Sequence, residues 1–145
     1  LGAIYTFILF AVILYLFGPK AFSLPFGIFV ILSAIVAYPI KWLFPTPRPD
    51  HKEKPLPKKI TLWNYWRVID HGAFPSAHAM RTAGLATLSL FFSSRTLHVI
   101  LLALFFIICW SRIHHRRHYP KDVIGGALMG IIIMVLSWYL AQCMH

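Results

Sequence analysis

Carboxylates are nearly missing from this chain. Asp50, Glu53, Asp70 and Asp122 are the only acids among 145 residues, against 14 lysines and arginines. Hard divalent cations are held mainly by carboxylate and other oxygens, so neither a two-metal site nor any cofactor is expected. Cysteine is as scarce. Cys109 and Cys143 fall near the ends of two different apolar runs and, once the spans are traced, on opposite sides of a bilayer, beyond disulfide reach; they read as small apolar packers. Charged residues of both signs amount to 12%, about half the share of an ordinary soluble domain.

Apolar residues take the vacant place, at 59% of the chain with a mean hydropathy of +0.69. Leu1 to Pro19, Ala21 to Ile40, Thr96 to Trp110 and Val123 to Met144 are essentially uncharged, and Pro75 to Ser94 is interrupted only by His78 and Arg81. About 20 apolar residues cross a bilayer. The expected fold is therefore an all-α polytopic transmembrane bundle, a single membrane-embedded domain over residues 1–145 with five spans. The chain opens on Leu rather than Met, and a further helix before it is expected, making six. A net charge of +10 in such a chain points to anionic headgroups and phosphate rather than nucleic acid.

Tracing the spans sorts the polar residues. If Leu1 starts on one side, the chain turns at Gly18-Pro19-Lys20 on the other and returns near Lys41. Residues 45–74 then form the one long polar loop, with Asp50 to Lys59 exposed and Thr61 to Val68 interleaving Trp63, Tyr65 and Trp66 with polar residues, as in a headgroup-level rim. The next two spans go out to Ser93-Ser94-Arg95 and come back to Ser111. Lys41, Arg48, His78, Arg112, His118 and Asp122 thus share one face. Gly126 and Gly130 form a small-xxx-small pattern that lets helices approach closely, read here as packing within a monomer.

The densest stretch is Ser111 to Asp122, with three histidines, four cations and one carboxylate. Tyr119 precedes a proline and leaves the α region, so the incoming helix ends there or before. Pro120 suits the first turn of the next. Asp122 then lies close enough to accept a hydrogen bond from the His118 ring, and a histidine held by a carboxylate is a candidate nucleophile or base. A basic juxtamembrane segment gripping anionic lipid would look similar.

Three motifs face this side: Lys41-x6-Arg48-Pro49, Pro75-Ser76-Ala77-His78, and Ser111-Arg112-x5-His118-x3-Asp122. In spacing, order and placement between the spans they resemble the signature motifs of the type 2 phosphatidic acid phosphatase family of membrane lipid phosphatases, which shares its site design with vanadium haloperoxidases. One departure is Ala77, where that family most often has glycine.

The residue types suit phosphoryl transfer, whose catalysis is mainly positioning and charge stabilisation. Lys41, Arg48 and Arg112 supply positive charge, and the amides of Ser76 and Ala77 sit at a helix N-terminus that seats anions. The resemblance implies that His118 is the nucleophile forming a phosphohistidine, that Asp122 orients it, and that His78 protonates the leaving oxygen and later activates water. It also implies a membrane lipid phosphate as substrate, such as phosphatidylglycerophosphate, undecaprenyl diphosphate or lipid A 1-phosphate. A monomer in the bacterial inner membrane with its site facing the periplasm is expected, against the positive-inside count for that face. A non-enzymatic lipid-binding or channel-like bundle and a haloperoxidase-like enzyme are the alternatives. Arg81 reads as support, and Arg116 and Arg117 as headgroup contacts.

Overall fold

A computed structural model describes residues 7–9, 11–13, 16, 20–44, 46–49, 72–92 and 94–144. The Asp50 to Lys59 stretch, the aromatic Thr61 to Val68 segment and the Gly18-Pro19 turn, along with His51 and His71, lie outside the described residues. Helix α1 spans Lys20–Leu43, α2 Ala77–Ser89, α3 Arg95–His114 and α4 Pro120–Cys143. Residues 7–9, 11–13 and 16 are helical as well. Apart from one isolated bridge between Pro47 and Gly72, the described residues hold no β pairing, in keeping with an all-α bundle.

Local chemistry sets the helix ends. Tyr119 is extended at φ −78, ψ 156 before Pro120, as a pre-proline residue should be. Ser94 starts α3 by accepting the Leu97 amide at 3.3 Å, the usual work of an N-cap hydroxyl. At the far end of α3 the amides of Arg117 and Arg116 reach back to the carbonyls of Arg112 and Ile113, both at 3.0 Å. That double closure needs a left-handed residue between them. Arg116 fills the position at φ 53, where glycine is the usual choice and any other residue costs roughly 1–2 kcal/mol.

α1, α3 and α4 are each long and apolar enough to cross a membrane. The run expected as the third span differs: α2 has only 13 residues, about 20 Å against a hydrocarbon core of about 30 Å. Every residue of α2 from Ala79 to Ser89 except Leu85 is buried. It is the axis of the bundle, packed mainly on α4 and then on α3. Small Ala, Gly, Ser and Thr residues suit that position because they let neighbouring backbones close in. Helix α3 is the opposite case. It buries only Cys109 and turns large apolar side chains such as Val99, Ile100, Phe106 and Ile107 outward, as lipid contact requires. Cys143, at the far end of α4, is exposed, and both cysteines are free.

Phe26, Phe29 and Val30 of α1 meet Met80 and Leu88 of α2 and Ile133 and Met134 of α4 in the main core. The glycine pattern serves this packing. A methyl on Gly126 would stand 2.5 Å from the Ser76 carbonyl oxygen, and one on Gly130 would strike that of Met80. Gly126 therefore fixes how near α4 lies to the start of α2. Gly126→Ala should push Ser76 aside and cut turnover on the order of 100-fold, as displacements near 1 Å do. Gly27→Ala meets nothing within 4 Å and should leave turnover unchanged. Equal rates for both variants would show that the close approach has no bearing on the site.

Candidate active site

The polar residues predicted to share a face meet where α1 and α3 end and α2 and α4 begin. Two short segments bind them. Residues 46–47 lie along 72–74, with the Ala73 amide donating to the Thr46 carbonyl at 2.7 Å and the Phe74 amide to Thr46 Oγ1 at 3.0 Å. This turns the carbonyls of Gly72 and Ala73 inward. Lys41, only 3% exposed, donates from Nζ to the Gly72 carbonyl at 2.7 Å. The next carbonyl, Ala73, lies 2.7 Å from His118 Nδ1.

That contact fixes the tautomer of His118. A carbonyl can only accept, so the proton sits on Nδ1 and the lone pair on Nε2. Burial pushes the His118 ring down to about 3, with the charges of Arg48 and Lys41 adding to it against the opposing Ala73 hydrogen bond. At neutral pH the imidazole is uncharged and nucleophilic. The backbone holds it from behind, since the His118 amide donates to the Arg112 carbonyl at 3.2 Å.

Asp122 differs from expectation. Its carboxylate was expected to take the His118 ring, but Oδ2 accepts the Tyr119 amide at 2.9 Å, and Oδ1 is buried with no hydrogen-bond partner among the described residues. The reason is its place in the third position of α4, from which a carboxylate reaches back to the residue before the helix. Its own carbonyl accepts the Ser76 amide at 3.0 Å. Fully buried, Asp122 thereby joins the second motif to the third and holds the amide of Tyr119, the residue after His118. Asn keeps an acceptor for Tyr119 and alanine does not. Asp122→Asn should therefore retain turnover to within about tenfold while Asp122→Ala loses about 100-fold or more. Equal, severe losses would mean that the negative charge itself is what matters.

The second motif sits at the start of α2, which Pro75 leads into and Ser76 caps in extended conformation at φ −72, ψ 105. Ala77 is the first residue of the helix. Ser76 Oγ and Arg112 Nε are buried with no partner among the described residues. An unsatisfied buried donor costs about 1–3 kcal/mol, and two of them beside Lys41, Arg48 and a helix N-terminus describe a seat for an anion. His78 is the second residue of the same helix, and the charges of Arg112, Arg81, Arg48 and Lys41 all bear on it. Pro49, Ile113, Arg116, His118, Tyr119 and Pro120 line a cavity of about 310 Å³.

Arg81 is a support. It is 3% exposed, hydrogen-bonded to the Tyr38 phenol, and lies 5.5 Å from the centre of the Phe7 ring. His98, unassigned from sequence, meets Ser89 Oγ at 2.9 Å far from the other histidines in the chain. Sequence reasoning missed Gly72 and Ala73, which act through carbonyls that any residue carries.

Residues 22–143, nearly the whole bundle, match the PAP2 superfamily. The chain belongs to that superfamily. Among relatives of this PAP2 chain, a lipid A 4′-phosphatase of Bacteroides thetaiotaomicron is 33% identical over 84 residues, 57% of this chain and 37% of that protein. YbjG of Escherichia coli, a candidate undecaprenyl-diphosphatase by name, is 27% identical over 139 residues, 94% of this chain and 67% of that protein. The chain thus spans about a third of the first and two thirds of the second. The crystal structure of LpxE from Aquifex aeolicus superposes with a TM-score of 0.72 at 26% identity, covering 93% of this chain and 77% of that one. A PAP2 helical membrane bundle is the fold that sequence and structure both give.

Proposed function

We propose that this PAP2 protein is a metal-independent membrane phosphatase that hydrolyses a lipid phosphate or diphosphate through a phosphohistidine. The observation that carries this reading is the His118 ring, neutral, with Nδ1 bonded to the Ala73 carbonyl and the Nε2 lone pair left beside a cluster of cations. In the first step Nε2 attacks phosphorus and the bond from phosphorus to the lipid oxygen breaks. His78 gives its proton to that oxygen. In the second step His78 takes a proton from water, whose oxygen attacks phosphorus, and the bond to Nε2 breaks to release inorganic phosphate. Arg112, Arg48, Lys41, the Ser76 hydroxyl and the Ala77 amide hold the equatorial oxygens throughout, the Ser76 amide being taken by the Asp122 carbonyl.

The names of the two relatives, a lipid A phosphatase and a candidate undecaprenyl-diphosphatase, support a lipid substrate of the envelope class, with phosphatidylglycerophosphate as a third member to assay. Phosphate release from these lipids by purified protein in detergent tests the reading. Release should persist in EDTA, because cations on the chain do the work of a metal. No release from any of them would leave a lipid-binding bundle instead.

The site is proposed to face the periplasm from the inner membrane, with the protein acting as a monomer. Lys121 is exposed at the start of α4 and reports on that side. In a Cys143→Ser background, Lys121→Cys should react with a membrane-impermeant thiol reagent on intact spheroplasts. Labelling only after lysis would place the site in the cytoplasm.

A further inference from the structure

The cations of this site divide into two groups. Arg112, Arg81, Arg48 and Lys41 bear on His78, and Arg48 and Lys41 on His118 as well; with Arg81 held as a support, the other three are the set the attacked phosphoryl group needs. Arg116 stands apart from them. It is exposed and is the one cation among the described residues lining the cavity that His118 shares with Pro49, Ile113, Tyr119 and Pro120. An anion entering that cavity would meet the Arg116 side chain at its wall. Its backbone points the same way. Arg116 is the sole non-glycine residue at positive φ among the described residues, in a helix closure where glycine fits without strain. Strain kept beside a reactive group is a reason to look for function.

Resting on the phosphatase reading above, we propose that Arg116 binds a second phosphate of the substrate, next to the one attacked, and so selects lipid diphosphates over lipid monophosphates. A guanidinium is suited to this, because it offers forked donors to two phosphate oxygens. The cavity holds the part of the substrate that lies outside the buried cation cluster, and in a diphosphate that part begins with the second phosphate.

The test is a ratio. Purified protein in neutral maltoside micelles is given a prenyl diphosphate and the monophosphate of the same prenyl chain, and kcat/KM is measured for each. Arg116→Gly should lower the diphosphate-to-monophosphate ratio by about tenfold or more, the loss expected for one charge-assisted contact. Arg116→Lys, which restores the charge without the fork, should recover part of it. Glycine suits the left-handed position, so the Arg116→Gly protein should unfold at no lower temperature than the parent, and a changed ratio is then not a folding defect. A ratio equal to the parent's overturns the proposal. So does a change seen only when anionic phospholipid is mixed into the micelles, because the anion is then a neighbouring headgroup and not part of the substrate. If the parent releases phosphate from neither substrate nor from the other envelope lipids, the phosphatase reading falls first and takes this proposal with it.

Discussion

His118→Ala should lower phosphate release by about 10⁵-fold or more, the scale on which loss of a catalytic nucleophile falls. Among the described residues nothing nearby can take its place. Ser76 Oγ is the closest alternative by chemistry, but it has no partner among the described residues and so no base to activate it. The expected loss is specific to the reaction. His118 contributes one side-chain hydrogen bond to the Ala73 carbonyl, and its backbone contact to Arg112 survives substitution. Helix content and unfolding temperature should change little, and an inactive but folded variant should still bind inorganic phosphate. Residual turnover within tenfold of the parent would assign the attack to another group.

Arg112 carries the second large effect. Its guanidinium is half-buried, with Nε unsatisfied among the described residues and its charge bearing on His78. A guanidinium placed on a transferring phosphoryl group contributes about 10³-fold or more. Arg112→Ala should show a loss of that size in kcat, with a smaller rise in KM, because charge builds up on the equatorial oxygens in the transition state. Arg112→Lys should recover little of it, since an ammonium cannot reproduce the fork. The closure of α3 depends on the Arg112 carbonyl, which every residue supplies, so the fold should persist. A KM effect alone would mark Arg112 as a docking contact outside the chemistry.

Much of this site was legible because its residues are expensive where they stand. Lysine, arginine, histidine and aspartate are costly in apolar surroundings, so Lys41, Arg48, His78, Arg112, His118 and Asp122 stood out against the apolar runs, and counting spans put them on one face. The parts that escaped are those with no side-chain signature. The carbonyls of Gly72 and Ala73 orient Lys41 and His118, and no residue type announces a carbonyl. Asp122 was assigned to the His118 ring from proximity in sequence, but helix geometry directs its carboxylate to the Tyr119 amide. Pro75 to Ser94 has the length of a span, and its helix is nevertheless short. The clue was composition, since Ala, Gly, Ser and Thr suit an axis buried by other helices. Arg116 gave no sign of its left-handed backbone, which only the closure of α3 reveals.

The covalent intermediate is where the mechanism is most open to contradiction. His78→Ala lacks the acid for the first step and the base for the second. With an aryl phosphate, whose leaving group needs little protonation, the first step should recover while water attack stays slow. Phosphoenzyme should then accumulate. Rapid quenching at high pH, which preserves the acid-labile phosphorus-nitrogen bond, followed by peptide mapping should place the phosphate on His118 in the His78→Ala protein. Nothing should be trapped when His118 is also replaced. Phosphate mapped to Ser76, phosphate trapped on His78 of the parent enzyme, or none in either protein would contradict the mechanism.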